Sequence, residues 1–225
     1  MRLVIFGAAG KVGRAATDEA LRRGHDVVAA DRAGPPEGPA RGARPDWHRV
    51  DLLGDDPMPP MAGADAVLSC IGLPMGPETV LAPPPLYTEG TRRIVEAMRA
   101  AGMRRLVVIS ASFVTTLQRG PVWFRGAAAV TLGAVLRQMA EMERMLRESD
   151  GLDWTAVRPG WLLDAPAAGD FEVSEGAIPA GTLRTRIPDL AAFMLDCAEQ
   201  GLFVGRTPAI ARAEPVASSP FEMLR

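Results

Sequence analysis

Residues 3–14 read Leu-Val-Ile-Phe-Gly-Ala-Ala-Gly-Lys-Val-Gly-Arg, and no other segment limits the possible folds so tightly. The apolar run Leu3, Val4, Ile5, Phe6 lacks alternation, as expected of a strand buried on both faces in a parallel sheet. Gly7, Gly10 and Gly13 follow at the spacing G-x-x-G-x-x-G. An amphipathic stretch from Val12 to Arg23 then predicts a helix. Strand, glycine turn and helix together let the chain reverse without a Cβ clash. They also bring bare backbone up to a pyrophosphate and aim the helix N-terminus at its phosphates. Gly13 would allow the helix to pack closely on the strand. A second strand, Asp26 to Ala30, ends at Asp31-Arg32, roughly 20 residues past the motif, where a dinucleotide-binding fold reads the adenosine ribose. A merely connecting turn would explain less, because three glycines in register carry an entropic cost.

Strands and helices alternate along the rest of the chain. Short strands are expected at Trp47–Val50, Ala66–Ile71, Arg104–Ile109 and Asp153–Val157, with a last one inside Leu202–Ile210. Helical periodicity covers Leu86–Ala101, with Gly102 as its stop, then about Leu132–Ser149 and Pro188–Gln200. The Pro/Gly-rich stretches Ala33–Pro45 and Gly72–Pro85 read as loops. This order implies α/β architecture: a doubly wound parallel sheet with ligands at the C-terminal strand ends and a small C-terminal portion covering substrate. A single domain is expected over residues 1–212, with substrate contacts from about 112–136 and 158–187 and a loose tail at 213–225.

Composition narrows the partners. The 225 residues are 48% hydrophobic and carry a net charge of −2, which supports a sizeable core and gives no basic surface for nucleic acid. Cys70 and Cys197 lie in apolar contexts and are expected to be reduced, buried thiols. The first strand begins at the start of the sequence, so no signal peptide is expected and the location is expected to be cytoplasmic. Val122–Leu136 is short and interrupted by Arg125, so no membrane span is expected. It reads as a loop and helix over a site. No Cys/His spacing suggests a metal. A monomer or homodimer acting on a small molecule fits these properties.

Four segments carry a family resemblance: GAAGKVGR from Gly7, ADAVLSCIG from Ala64, EGTRRIVEAMRAAGMRRLVVISAS from Glu89, and RMLRESDGLDWTAVRPGWLLD from Arg144. A weaker match covers Arg186–Leu195. The chain resembles the atypical short-chain dehydrogenase/reductase group with its Rossmann-type fold. Its nearest likeness is the NAD(P)H-binding branch that holds flavin reductases and NmrA-like proteins. The resemblance implies that Gly7, Ala9, Gly10, Lys11, Val12 and Gly13 cradle the pyrophosphate and that Asp51 and Leu52 lie by the adenine. It also implies that Cys70, Ile71 and Gly72 line the path of the nicotinamide ribose, and that Ser110, Ala111 and Ser112 sit beside the nicotinamide. Arg158, Pro159, Gly160 and Trp161 would floor the space between cofactor and substrate. Hydroxyls bonded to turn backbone are the simpler role for Ser110 and Ser112, a surface salt bridge for Arg158 and a solvated carboxylate for Asp51.

The cofactor is NADP or NAD. Asp31 can accept hydrogen bonds from both ribose hydroxyls, which favours NAD; Arg32 could clamp a 2′-phosphate, and the related flavin reductases favour NADP. The usual Tyr/Lys acid pair is absent, since Tyr87 is the only tyrosine and Lys11 the only lysine. The catalytic candidates are therefore Ser110, Ser112 and Glu143. Glu143 would serve as an acid if burial raised its pKa, and otherwise belongs to the charged helix run with Glu141, Arg144, Arg147 and Glu148. Phe113, Trp123, Phe124 and Trp161 could stack on a flat acceptor. The leading expectation is an NAD(P)H-dependent oxidoreductase reducing a small planar or carbonyl-bearing acceptor, flavin- or quinone-like. The alternatives are a non-catalytic NAD(P)-sensing regulator of the NmrA-like kind and a redox-neutral isomerase or cyclase.

Overall fold

The structure is a computed structural model. It describes residues 1–35, 44–74, 76, 79, 81–116 and 122–214, without the side chains of 115, 116 and 122–131. In chain order the elements are β1 (Arg2–Phe6), α1 (Lys11–Arg22), β2 (Asp26–Asp31), β3 (Asp46–Arg49), a 3-10 turn (Pro59–Met61) and β4 (Ala66–Ser69). A π-helical turn (Leu86–Gly90) leads into α2 (Thr91–Ala100), β5 (Arg105–Ile109), α3 (Phe113–Thr116) and α4 (Val122–Arg147). Then come β6 (Asp153–Pro159), β7 (Trp161–Leu163), β8 (Glu172–Glu175), β9 (Arg184–Arg186), α5 (Ile187–Gln200) and β10 (Pro208–Ala211).

Eight strands form one sheet in the order β3-β2-β1-β4-β5-β6-β10-β8. All neighbours are parallel except β10 and β8. The order reverses between β1 and β4, so the ends of these two strands open a crevice of the kind that holds ligands in doubly wound sheets. Side chains alternate across β1. Leu3 and Ile5 join Val12, Ala16, Leu190 and Met194 under α1 and α5, while Val4 and Phe6 join Ile94, Met98, Met142 and Leu146 under α2 and α4. Both faces are covered, which is why the strands read as unbroken apolar runs.

The elements differ from the expected ones mainly at their ends and in the C-terminal third. The helix α4 starts at Val122, ahead of the expected Leu132; its Ala-rich opening has high helix propensity. The small parallel pair β7 and β9, the antiparallel edge β8 and the single-turn α3 have no counterpart in the sequence reading. Each is three or four residues long, too short for periodicity to register. Glu214, on the segment expected to be loose, is buried and ion-paired with both Arg186 and Arg212; residues 215–225 lie outside the described residues. Among the described residues no helix is long and apolar enough to cross a membrane.

Two half-buried arginines fasten α5, one to the sheet and one to α1. Arg105 donates to the carbonyls of Cys197 and Leu202 and to Thr155 Oγ1, so it anchors the C-terminus of α5 below the sheet. Arg23 joins α1 to α5 through Glu19, Asp196 and Glu199. The hydrogen bond from Arg22, helped by Arg23, holds the Glu19 carboxyl down at about 2 against an ordinary 4.5. A depressed carboxyl stabilises the fold above its unfolded pKa, and that contribution is lost as pH falls through the folded value. Glu19→Gln is therefore expected to lower the urea midpoint at neutral pH. The gap from the unsubstituted protein should shrink between about pH 4.5 and 2, and a gap constant over that range would contradict this account.

Candidate functional site

The site begins at the end of β1. Gly7 has φ +76°, and a Cβ there would lie 2.6 Å from the Cys70 carbonyl oxygen at the end of β4. A Cβ on Gly13 would lie 2.0 Å from the Gly7 carbonyl oxygen. The two strand ends and the first turn of α1 thus meet backbone to backbone, which only glycine permits at these positions. Gly10 is the N-cap of α1, and no side chain caps the first turn. Its amides and the positive end of the helix dipole therefore form a cradle for an anion. Ala9 donates its N–H to Asp31 Oδ2 at 3.1 Å. Lys11 extends from the same turn to Asp164 Oδ2, 2.8 Å away, beyond β7.

A cleft continues from this cradle along the ends of β2 and β3. Gly7, Asp31, Asp51, Leu52, Ile71 and Gly72 all line it, together with Phe6 and Arg32. These residues belong to four separate segments of sequence, and the sheet brings them to one edge. Cys70 lies beneath the cleft, and burial pushes its thiol up to about 12, so it stays protonated and inert. Asp51 accepts a hydrogen bond from Leu53 N at 3.0 Å.

The opposite wall is built on β5 and β6. Ser110 is 2% exposed and donates its hydroxyl to Glu143 Oε1 at 2.7 Å. Glu143 is 0% exposed; it still pairs with the exposed Arg147 of the charge run on α4, 3.6 Å away, but its own carboxylate is withdrawn from solvent. Arg158, also buried, donates Nε and Nη2 to its two carboxylate oxygens, at 2.8 and 2.5 Å. The Nη1 of Arg158 donates to the Gly176 carbonyl. Arg158 therefore faces the protein interior, and a surface salt bridge does not describe it. Ser112 donates its hydroxyl to the Arg158 carbonyl at 2.9 Å, and its N–H to the Pro159 carbonyl at 3.0 Å. Ala111 is partly buried against the core. Gly160 is required sterically, since a Cβ would fall 2.3 Å from the Leu183 carbonyl oxygen.

Phe113 and Trp161 meet edge to face, with ring centroids 5.7 Å apart. They form an aromatic corner where α3 meets β7. Trp123 and Phe124 are in α4, but their side chains lie outside the described residues. Tyr87 is far from an activated phenol: burial raises its pKa, and its oxygen accepts a hydrogen bond from Leu73 N. Among the described residues no cluster of His, Cys, Asp and Glu could hold a metal ion.

With this geometry, the family comparison is decisive. A model of NAD(P)H-binding domains matches residues 7–201. The chain belongs to the NAD(P)H-binding family. That is the atypical short-chain dehydrogenase/reductase type of protein, and an oxidoreductase-like one. A 3-diazoavenalumate denitrifying reductase from Streptomyces is 31% identical over 179 residues, 67% of this chain and 53% of that protein. A protein of the UPF0659 group from Schizosaccharomyces pombe is 32% identical over 108 residues, 44% of this chain and 42% of its own. The chain thus spans about half the length of these curated relatives. A Streptococcus pneumoniae structure described as an NADH-flavin reductase shares the fold at TM-score 0.73 and 21% identity. The match covers 94% of this chain and 99% of that one. A Bacillus halodurans structure described as an NAD-dependent epimerase/dehydratase matches at TM-score 0.74 and 25% identity, over 96% and 97% of the two chains.

The NAD(P)H-binding family member needs an NAD or NADP site, and the uncapped cradle fits a dinucleotide pyrophosphate. The pairing of Asp164 with Lys11 and the steric requirement at Gly160 escaped the sequence reading. Gly160 stood visible in the Arg-Pro-Gly triplet, but its steric partner, Leu183, is remote in sequence. Two outcomes check this description. Gly13→Ala is expected to abolish detectable dinucleotide binding, measured by nicotinamide fluorescence. Glu143→Gln leaves the Arg158 cation buried without its counter-charge, so it should cost about 3–5 kcal/mol in urea unfolding. The double change Glu143→Leu with Arg158→Met should recover most of that loss.

Proposed function

We propose that the chain is an NAD(P)H-dependent reductase of a small flat acceptor, flavin- or quinone-like, and that solvent rather than a side chain supplies the proton. The observation that carries this reading is the Ser110–Glu143–Arg158 cluster. Each group that could serve as a proton donor beside the nicotinamide is already committed inside the protein. A general acid must reach the atom it protonates, and a carboxylate sealed beneath Ser110 and clamped by Arg158 does not. The Tyr87 phenol, held upward by burial, is equally unsuited.

When bound, the reduced nicotinamide supplies a hydride. The chain's own residues then have positioning tasks. Gly7, Gly10 and Gly13 admit the diphosphate against bare backbone, and Lys11 offers it a cation. Ser110, Ala111 and Ser112 form a rigid shelf under the reacting ring, because both hydroxyls are held by internal acceptors. Phe113 and Trp161 present an apolar corner on which a planar acceptor stacks. Segments 112–116 and 158–187 cover that acceptor. An acceptor that takes hydride into a conjugated ring and its proton from water needs no Tyr/Lys pair. The Streptomyces relative, named as a reductase, supports the reaction class.

The test is oxidation of NADPH and NADH by the purified protein with FMN or menadione, followed by loss of nicotinamide fluorescence. Turnover is expected with at least one acceptor. Ser110→Ala should keep the rate within about tenfold, short of the roughly 10²–10⁴-fold loss that follows removal of a general acid. Tight binding without oxidation of either nucleotide would instead favour the sensing role, for which the sealed Ser110–Glu143 pair is equally suited.

A further inference from the structure

We propose that Thr185 is a positioning residue for the acceptor: its hydroxyl fixes the fork at which the chain leaves β6 for β7, and so fixes the direction of the Trp161 ring. The inference rests on the reading above that a flat acceptor stacks on Trp161, and adds which group behind the ring aims it.

The chain changes partner within one residue at this fork. Arg158 and Pro159 of β6 pair with Ala209 and Ile210 of β10. Gly160 N then donates to the Ile210 carbonyl at 3.1 Å, while the next amide, Trp161 N, donates to the Leu183 carbonyl at 2.7 Å. From there β7 runs parallel to β9, with Trp161 opposite Arg184. A Cβ on Gly160 would lie 2.3 Å from the same Leu183 carbonyl oxygen. The segment leading into β9 thus abuts bare backbone, and any shift of it carries the acceptor of the Trp161 amide along.

Thr185 stands on β9 at this point, 1% exposed. Its Oγ1 donates to the Ile210 carbonyl at 2.6 Å and accepts from Gly160 N at 2.9 Å. One hydroxyl thus holds β9 to β10 and to the residue where β6 gives way to β7. The Gly160 amide does not need it as a partner, because it already reaches the Ile210 carbonyl. What the hydroxyl adds is a fixed spacing at the fork, through two short hydrogen bonds in a site closed to water.

That spacing reaches the candidate site through Trp161. Its ring meets Phe113 edge to face, with 5.7 Å between centroids. Phe113 follows Ser112, whose N–H and hydroxyl are held by the Pro159 and Arg158 carbonyls. Ser112 therefore grips the chain just before the fork from the β5 side, and Thr185 grips Gly160 from the β9 side. Gly160 has no side chain to restrict its own torsions, so the aim of Trp161 depends on these two grips. Ring stacking is sensitive to that aim.

The experiment compares Thr185→Val and Thr185→Ser with the unsubstituted protein. Each is labelled with 5-fluorotryptophan and its four tryptophans are read by fluorine NMR, Trp161 being assigned from Trp161→Phe. Acceptor KM and kcat are measured with menadione and FMN, and NADPH and NADH affinities by nicotinamide fluorescence. Valine is close to threonine in shape and leaves no backbone group unpaired, so Thr185→Val should fold. It should shift or broaden the Trp161 resonance and leave the other tryptophans in place. Acceptor KM should rise about fivefold or more, inside the roughly 10²-fold that a misplacement of about 1 Å can cost, with kcat and both nucleotide affinities unchanged. Thr185→Ser keeps the hydroxyl and should restore both the resonance and the KM. An unmoved Trp161 resonance, a KM rise matched by weaker nucleotide binding, a failure of serine to restore either, or loss of the fold in Thr185→Val would overturn the proposal. Absence of turnover in the unsubstituted protein would overturn the acceptor reading, and the Trp161 resonance would then decide alone whether Thr185 aims the ring.

Discussion

The contact on which the rest of this structure depends is the close backbone approach of Gly7 to Cys70 and of Gly13 to Gly7. It sets the distance between β1 and β4 at their C-terminal ends and seats α1 on the sheet at that point. The sheet order reverses there, so the contact also defines the crevice. A side chain at either glycine would push α1 away from the strand ends. The cleft along β2 and β3 on one side and the β5–β6 wall on the other would then no longer share an edge. Packing under α1 and α5 follows from the same seating, because Val12 and Ala16 reach Leu190 and Met194 only at this helix height.

The second constraint is electrostatic. Glu143 reaches down from α4 between β5 and β6 and binds Ser110 from one and Arg158 from the other. Two opposite charges buried together gain little over apolar packing, but neither tolerates loss of its partner. The pair therefore acts as a specific fastener: it allows one placement of the long helix over the strand ends. It also makes the proposed shelf beside the nicotinamide chemically quiet, since its hydroxyls face internal acceptors. That quietness is the physical basis for assigning the proton to water.

The fold was legible where burial is two-sided and loops are short. The runs at Leu3–Phe6, Ala66–Ser69 and Leu106–Ile109 carry the parallel sheet in their composition, and Gly102 and Gly201 mark helix ends through positive φ. Of the site, the glycine cradle and the strand-end residues Asp31, Asp51 and Ile71 could be named, because a local pattern carries them. Glu143 could not be distinguished from its solvated neighbours, since helix periodicity says nothing about a cation arriving from β6. The strands β7, β8 and β9 exist through long-range pairing with β10 and with each other, and no three-residue segment encodes that by itself.

The bridge between Lys11 and Asp164 has a practical side. Lys11 is the chain's only side-chain amine, and it stands at the mouth of the glycine cradle, exposed and paired with one surface carboxylate. Amine-directed coupling of a side chain to a bead, a dye or a crosslinker would therefore fall at the glycine cradle. A sample immobilised through Lys11 would be held with the cradle against the support, whereas coupling through the 27 carboxylates would scatter over the surface.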